Sequence, residues 1–450
     1  MAAILGNDYG FYALLCALIC LLPPVLYLLG VIRDPFHPLI IVGGTAFGCA
    51  SYLLLTDPAP ALQYTTMAAL SMYQFIVATS ILSLYTGWWW LGRRSHAPSA
   101  GVLNLRPAYS PHRMAFAAWV YAIISAAVAV RYYGHIRASG YITNLVFLEW
   151  PAAILFIQAA LLDRTLVPMA VVGVPVACTE SLLRFFLYGS RFEVAVVSSL
   201  AMVPFLLRGK RPRKPFFLGV LLAFAVVVWS MTATRTIMGQ GKADNRLTAL
   251  GIAIEHVLGR KHPWYTAGKT FVFGTNVVRV ASETHFDNGM FLYNLGIRFL
   301  PHEWFPNKYN WYTDWSQTGD ITMVRRHLGM STDAMPNGAA CSGFASVFVE
   351  FGWLYVVPWF FLGAGLAAVY RRAVHGRLVE FQGLLVISYV LMFLFIGQDV
   401  YQFVLYGLFG GVPTVLGYWF ARTGVGTAAF PPGANSRRAE PLGGGGGLGG

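Results

Sequence analysis

The chain has 450 residues, of which 56% are hydrophobic and only 11% are charged. Soluble domains carry about 25% charged residues, so the composition excludes an ordinary soluble domain and indicates an integral membrane protein. The net charge of +13 does not indicate a nucleic-acid partner, because many Lys and Arg residues lie in short clusters between apolar runs, as cytoplasmic loops of membrane proteins require.

Apolar runs that can span a bilayer occur about eleven times along the chain. A spanning helix needs about 20 mostly apolar residues. The runs cover residues 9–32, 38–56, 64–91, 114–133, 143–162, 165–187, 192–207, 216–234, 343–370, 381–400 and 402–420. The first run has no basic stretch before it and no evident cleavage site after it, so it is expected to be a retained helix. The sequence predicts an all-α polytopic membrane protein with about eleven transmembrane helices.

The loop charges predict the orientation of these helices. Strongly basic segments at residues 93–113, 208–215 and 371–377 all fall on one side of an eleven-span chain, which the positive-inside rule assigns to the cytoplasm. Arg33, Arg164 and the arginines after residue 421 fall on the same side. The N-terminus is therefore expected outside and the C-terminus inside.

This topology divides the chain into four parts. Residues 1–234 carry transmembrane helices 1–8, and residues 235–342 form one large extracytoplasmic loop. Residues 343–421 carry helices 9–11, and the Pro- and Gly-rich tail, residues 422–450, is expected to be disordered in the cytoplasm. Long loops in otherwise compact chains are usually functional, so the loop at 235–342 is expected to contain functional residues.

Charged side chains inside or beside apolar runs are the first candidate site residues, because a charge in the membrane is costly and indicates function. They are Glu180, Arg184, Arg191, Arg235 and Glu350. Arginines at the outer level can grip a lipid phosphate through two parallel hydrogen bonds. Structural alternatives stay open: Glu180 pairs with Arg184 across one helical turn, Arg235 extends to lipid headgroups, and Glu350 pairs with an arginine.

The large loop holds an unusual mixture of rings and ionisable groups. Residues 296–315 combine Arg298, His302, Glu303 and Lys308 with seven aromatic residues, among them Trp304 and Trp311. Upstream in the loop lie Glu283, His285 and Asp287. Rings beside charges suit a sugar, whose C–H faces pack on flat rings while its hydroxyls need polar partners. An interfacial belt of Trp and Tyr explains the rings equally well.

The five cysteines show no metal-ligand spacing, so they are interpreted as small buried apolar residues.

Two motifs resemble a known family over residues 180–375. The passage "RFLPHEWFPNKYNW" carries Pro301, Pro306 and Lys308, and the next apolar run opens with "SGFASVFVEFGW". With the intramembrane "GSR" at 189–191, this order of features resembles the Wzy-type oligosaccharide repeat-unit polymerases of O-antigen and exopolysaccharide synthesis. The chain departs from the family at His302, where Arg is usual, at Tyr309, which replaces a Pro, and at Glu350, where Asn is common.

The resemblance implies a fold like that of the GT-C-type polymerases and ligases, and a metal-independent membrane glycosyltransferase without a cofactor. It implies polymerisation of undecaprenyl-pyrophosphate-linked oligosaccharides at the outer face of the bacterial inner membrane, with a chain-length regulator and a flippase as partners. The catalytic base is then His302 or Glu303, with His285 and Glu350 as further candidates. Pyrophosphate and glycan would be bound by Arg184, Arg191, Arg235, Arg298, Lys308, Trp304 and Trp311.

Three other functions remain open at this stage. An O-antigen ligase shares the architecture and transfers a finished glycan to another acceptor. A transporter or flippase of lipid-linked oligosaccharide would show two related halves, and no clear repeat is visible in the sequence. A structural or assembly subunit would make the cluster of rings and charges incidental.

Overall fold

A computed structural model describes about three-fifths of the chain, in separate stretches. The described residues are 9–48, 62, 64–94, 106–132, 140–183, 200, 215, 219, 246–258, 267–286, 324, 327–329, 341–374, 378–397 and 400–426. Helices dominate this described part, and two short strands pair in it.

The helices and strands are named here in chain order. The helices are α1 (Tyr9–Leu28), α2 (Pro38–Ala46), α3 (Met67–Arg94), α4 (Pro111–Arg131), α5 (Glu149–Leu162), α6 (Val167–Ala177), α7 (Thr179–Leu183), α8 (Arg246–Leu258), α9 (Ala267–Glu283), α10 (Ser342–Phe351), α11 (Val356–Val374), α12 (Val379–Gly397), α13 (Val400–Tyr406) and α14 (Val412–Ala421). The strands are β1 (Arg106–Tyr109) and β2 (Arg422–Gly426). Short 3₁₀ segments at Gly140–Leu148 and Arg164–Leu166 lead into α5 and α6, a third at Gly352–Leu354 joins α10 to α11, and a π-helical turn at Gly407–Gly411 joins α13 to α14.

Six helical segments in the described part are long and apolar enough to cross a membrane, and a seventh is obtained if α10 and α11 count as one broken span. The six are Tyr9–Leu28, Met67–Leu91, Pro111–Arg131, Asn144–Leu162, Val379–Gly397 and Phe403–Ala421. Their outer faces expose large apolar side chains, such as Phe11 and Leu18 on α1 and Phe116 on α4. Apolar surface on this scale belongs in lipid rather than water. The predicted class, a multi-pass helical membrane protein, is confirmed.

Several predicted spans differ from the helices that form. Within the run at 38–56, α2 has 9 residues. The run at 165–187 gives a shorter apolar helix, Arg164–Ala177, followed by α7. The runs at 192–207 and 216–234 lie almost entirely outside the described residues, so the count of eleven stays a prediction.

The run predicted as one span at 343–370 is two helices. The segments Ser342–Leu354 and Val356–Val374 meet at an angle of 116°. The bend follows Gly352, whose φ of 54° and ψ of −135° lie near a region of backbone conformation that essentially only glycine populates. The length of the apolar run could not reveal this break, because hydropathy does not depend on the backbone dihedral angles of a single glycine.

Helix α9 changes the interpretation of residues 235–342. This segment was predicted as an extracytoplasmic loop, yet α9 is buried within the helical core, with Phe271, Val277 and Val278 fully covered. The Phe271 ring packs edge-on against Tyr73 of α3 with ring centroids 5.0 Å apart, and Asn276 Nδ2 donates to the carbonyl of Tyr64 at 3.0 Å. Part of the predicted loop therefore belongs to the packed bundle.

Helices α3 and α11 run in parallel and touch through their backbones. A Cβ placed on Gly87 would lie 2.0 Å from the Phe360 carbonyl oxygen, and one on Gly363 would lie 2.0 Å from the Leu84 carbonyl oxygen. Toward the N-terminal ends, Ser83 Oγ donates to the Val356 carbonyl at 2.7 Å. Small residues allow such close approach, which favours helix association in membranes.

The parallel packing brings two predicted cytoplasmic segments to one end of the bundle. Helix α3 ends in the basic residues Arg93 and Arg94, and α11 carries Arg371 and Arg372 in its last turn. At the corresponding end of α14, β2 pairs antiparallel with β1, with Pro107 opposite Val425. The first five residues of the tail predicted to be disordered therefore form a strand, while residues 427–450 lie outside the described part.

The glycine contact predicts a clear contrast within one helix. Gly363→Ala should lower the melting temperature of the purified protein in detergent, because the new methyl group pushes α3 and α11 apart at a cost of about 1–3 kcal/mol. Gly365→Ala is the matched control, since no described atom lies within 4 Å of a Cβ at that position. Equal melting temperatures for the two variants would contradict the close contact.

Candidate active site

The break between α10 and α11 is packed against the end of α9. A Cβ on Gly352 would lie 3.2 Å from Cδ2 of Phe286, and the Phe286 ring meets Phe348 of α10 edge-on at a centroid distance of 5.2 Å. Trp353, which is half-exposed, completes this group of rings against Phe348 at 5.2 Å. The absence of a side chain at Gly352 therefore permits both the backbone turn and the close packing of Phe286.

Two predicted catalytic candidates lie on either side of this contact. Glu350 is buried in the last turn of α10, two residues before Gly352, with 7% of its surface exposed. His285 is exposed and directly precedes Phe286. The structure brings them into one neighbourhood through Phe286, although they lie more than sixty residues apart in the chain.

A polar cluster surrounds the end of α9 on its exposed side. Arg279 Nε donates to Glu283 Oε1 at 2.9 Å, and His327 Nε2 lies 3.4 Å from Glu283 Oε2. Partial burial acts to raise the pKa of Glu283, but the hydrogen bonds and charges of Arg279 and His327 outweigh it and lower that pKa below its ordinary value. Glu283 is therefore an ionised, paired carboxylate rather than a free base.

The start of α10 is held in an unusual conformation. Ser342 has a φ of 71°, a region that costs a residue with a Cβ about 1–2 kcal/mol. Its Oγ lies 2.6 Å from the Tyr73 hydroxyl of α3, and a Cβ on Gly274 of α9 would lie 2.6 Å from the Cys341 carbonyl oxygen. Helices α3 and α9 thus hold the start of α10 from two sides.

Nine of the predicted site residues lie outside the described part of the chain. They are Arg184, Arg191, Arg235, Arg298, His302, Glu303, Trp304, Lys308 and Trp311. Asp287, also considered, lies outside it as well. Their assignments stay predictions from the sequence. The candidates that can be placed in the fold include His285 and Glu350, and also Glu180, which is buried in α7.

Two buried carboxylates escaped the sequence analysis as site residues. Glu149, 2% exposed, accepts hydrogen bonds from Trp150 and Ser181. Glu149 could have been identified from the sequence as a single acid inside the apolar run at 143–162. A charge inside the membrane indicates function, which is the reason that Glu350 was selected. The second is Asp34, 7% exposed, between the first two apolar runs.

Asp34 belongs to the basic end of the bundle, remote from the α10–α11 break. It accepts hydrogen bonds from the Tyr370 hydroxyl and from the backbone amide of Phe36, so it ties the turn between α1 and α2 to α11. The neighbouring His37 ring packs on Trp88 at 4.8 Å. Burial lowers the pKa of His37 to about 4, against the opposing effect of Asp34, so His37 is neutral at physiological pH. This cluster stabilises a turn.

Metal binding finds no support among the residues that the structure describes, where no group of three His, Cys, Asp or Glu side chains could hold an ion. The cysteines in that part, Cys16, Cys20, Cys178 and Cys341, are buried, as small apolar residues would be.

No protein-family model, no curated protein and no solved structure matches this chain. The resemblance of residues 180–375 to the Wzy-type polymerases therefore rests on short sequence motifs, and the chemistry of the named residues carries the functional argument.

The double role of Gly352 leads to a testable difference between two glycines. Gly352→Ala should lower the melting temperature more than Gly329→Ala. Gly329 also has a positive φ, 63°, but no described atom lies within 4 Å of its Cβ position. The control pays only the conformational cost, of about 1–2 kcal/mol, whereas Gly352→Ala also displaces Phe286. A smaller loss for Gly352→Ala than for Gly329→Ala would argue against the packed break.

Proposed function

We propose that the protein is a membrane glycosyltransferase that polymerises undecaprenyl-pyrophosphate-linked oligosaccharide repeat units, at the outer face of a bacterial inner membrane. The observation that carries the proposal is the packing of Phe286 against Gly352. It joins the end of α9, with its exposed His285, to the helix break that opens with the family-like pair Phe351 and Gly352. Ionisable groups at a break in membrane helices suit a reaction on a lipid-linked sugar.

The reaction joins two lipid-linked glycans. A hydroxyl oxygen at the end of one glycan attacks the anomeric carbon of the other and forms the new glycosidic bond. The bond between that carbon and the pyrophosphate oxygen breaks, and undecaprenyl pyrophosphate leaves with the electron pair. The hydroxyl proton passes to a base on the protein. The two substrates must meet in the right geometry. In this proposal, contacts between the sugars and aromatic side chains of the protein hold the substrates in that geometry.

Negative charge develops on the pyrophosphate oxygens as the bond breaks. Preorganised cations at that position give the largest catalytic effect in reactions of this type. Arg184, Arg191 and Arg235 supply them in this proposal, because a guanidinium group donates two parallel hydrogen bonds to a phosphate. Arg298 and Lys308 bind the glycan or the second carrier, and Trp304 and Trp311 hold sugar faces.

The acceptor hydroxyl is a weak nucleophile and gains from a positioned base, by about 10²–10⁴-fold in typical enzymes. His302 and Glu303 are favoured by the family-like passage, and His285 and Glu350 by their position beside the break. His285 is exposed and Glu350 is buried, so His285 is the more accessible of these two to a substrate that arrives from outside.

The charges at the helix ends support the outer side of the membrane for this reaction. Helices α3 and α11 both end in arginines, and the positive-inside rule assigns such helix ends to the cytoplasm. Tyr355, directly after the α10–α11 break, contacts Thr79 in the middle of α3, and Ser342 at the start of α10 lies farther from the arginines, beside Tyr73. In this proposal the reaction takes place on the side away from the arginines, which is the periplasm.

Deletion of the gene should remove the ladder of polymerised glycan on a gel while leaving a single repeat unit attached to its acceptor. The polymerase is needed to extend the chain but not to transfer one unit. Loss of all surface glycan would instead indicate a ligase or a flippase. An unchanged ladder would reject the proposal.

Arg191→Ala should abolish polymer while the protein still inserts at normal levels, as measured by gel and by immunoblot of membranes. Arg191→Lys should be nearly as defective, because a single ammonium cannot reproduce the bidentate contact. Arg164 is an exposed arginine in the 3₁₀ segment that leads into α6. The Arg164→Ala variant serves as the control and should keep the ladder. Normal polymer in Arg191→Ala would eliminate this residue from pyrophosphate binding.

A further inference from the structure

Glu149 forms a hydrogen-bonded centre that the proposed reaction does not yet use. Its carboxylate accepts from Trp150 Nε1 at 3.0 Å, from Ser181 Oγ at 2.7 Å and from the Ser181 backbone amide at 3.2 Å. The side chains of Glu149 and Ser181 are both 2% exposed. Three donors from two different helices therefore converge on one buried carboxylate inside an apolar bundle.

The contact with Ser181 holds the start of α7. Ser181 lies in the first turn of this helix, where backbone amides have no acceptor within their own helix. Glu149 supplies that acceptor from α5, across 32 residues of chain. The preceding residues form a turn between α6 and α7, in which Thr179 Oγ1 bonds back to the Val176 carbonyl. The carboxylate thus fixes where the chain resumes its helix after the turn.

The contact with Trp150 extends the centre to the last transmembrane segment. A Cβ on Gly410 would lie 2.9 Å from Cε3 of Trp150, so the indole fills the space beside the π-helical turn at Gly407–Gly411. Its other neighbour is Tyr406, edge-on with ring centroids 5.9 Å apart. Helix α7 is therefore linked through Glu149 and Trp150 to a turn of a type that occurs frequently at functional sites.

The chain passes from α7 directly into Arg184, the first of the arginines proposed to bind pyrophosphate. We propose that Glu149 is a positioning residue: by anchoring Ser181, it sets the place from which the arginine-bearing segment starts. This inference rests on the proposed function. The effect is indirect, because Glu149 acts through α7 and has no assigned contact with substrate.

A carboxylate suits this role better than an amide. Its two oxygens offer about four lone-pair positions and present no donor to the three groups around it. In a Glu149→Gln variant, the NH₂ group would face N–H and O–H donors, so at least one buried donor would lose its acceptor. The expected result is a start of α7 that is less firmly held.

Gln158 provides a matched control on the same helix. It is fully buried, donates through Nε2 to the Val379 carbonyl at 3.1 Å and accepts from the Tyr418 hydroxyl at 2.5 Å. It lies about two and a half helical turns from Glu149 and contacts α12 and α14 instead of α7. Its replacement removes comparable buried hydrogen bonds without touching the segment that leads to Arg184.

The experiment compares Glu149→Gln, Glu149→Ala, Gln158→Ala and Arg184→Ala in the full-length protein. Hydrogen–deuterium exchange of purified protein in detergent reports the amides of residues 179–183, and the glycan ladder in a deletion strain reports function. Both Glu149 variants should raise exchange in that peptide about tenfold or more, as loss of a charge-assisted hydrogen bond implies. They should reduce polymer about tenfold or more, since a displacement near 1 Å can cost about 10²-fold.

The control variant and the arginine variant decide the interpretation. Gln158→Ala should lower the melting temperature while leaving the exchange of residues 179–183 and the ladder unchanged. In the Arg184→Ala background, Glu149→Gln should cause no further loss of polymer, because both changes disable the same element. Additive losses, or equal losses for Glu149→Gln and Gln158→Ala, would mean that Glu149 is only structural and would overturn the inference.

Failure of this inference can be told apart from failure of the proposed function. If exchange does not rise in the Glu149 variants, the anchoring of α7 is wrong, whatever the ladder shows. If exchange rises while the ladder persists, and the gene deletion removes the ladder, the polymerase stands and Glu149 has no positioning role. If the gene deletion itself leaves the ladder intact, both the polymerase proposal and the positioning role are wrong. The exchange result then still tests whether Glu149 anchors the start of α7.

Discussion

The backbone contact between α3 and α11 governs the arrangement of the other described helices around them. Gly87 and Gly363 each face a carbonyl oxygen of the partner helix, so the two helices touch through their backbones. From that crossing, polar groups on α3 meet the chain in succession: Ser83 binds the carbonyl of Val356, Thr79 the hydroxyl of Tyr355, and Tyr73 the hydroxyl of Ser342. One face of α3 therefore fixes the start of α11, the break and the start of α10.

The break in turn determines what the end of α9 can do. Because Gly352 carries no side chain, Phe286 packs directly against the turn, and the residues around it take opposite environments. Glu350 is buried on one side, while His285 and the paired Glu283 face outward on the other. A membrane helix that continued straight through position 352 would offer no such junction between buried and exposed ionisable groups.

Glu149 belongs to a different part of the interior. Trp150 and Cys178 lie in a buried cluster with α11 and α12 residues such as Tyr370 and Leu385, whereas Phe348 lies in the cluster formed with α3 and α9. A third polar group, Asp34 with the neighbouring His37, secures the α1–α2 turn beside Tyr370 of α11.

The sequence by itself determined the class of protein, because apolar runs of spanning length and sparse charges can be satisfied only by helices in lipid. It also selected Glu350 as a buried acid and placed the basic loops on one side, which the meeting of β1 with β2 supports. It could not show that Gly352 breaks a span, that α9 is packed in the core, or that Ser181 lies against Glu149. These features depend on single backbone angles and on contacts between residues 32 to more than 200 positions apart, which no local pattern encodes. Only the tertiary structure decided them.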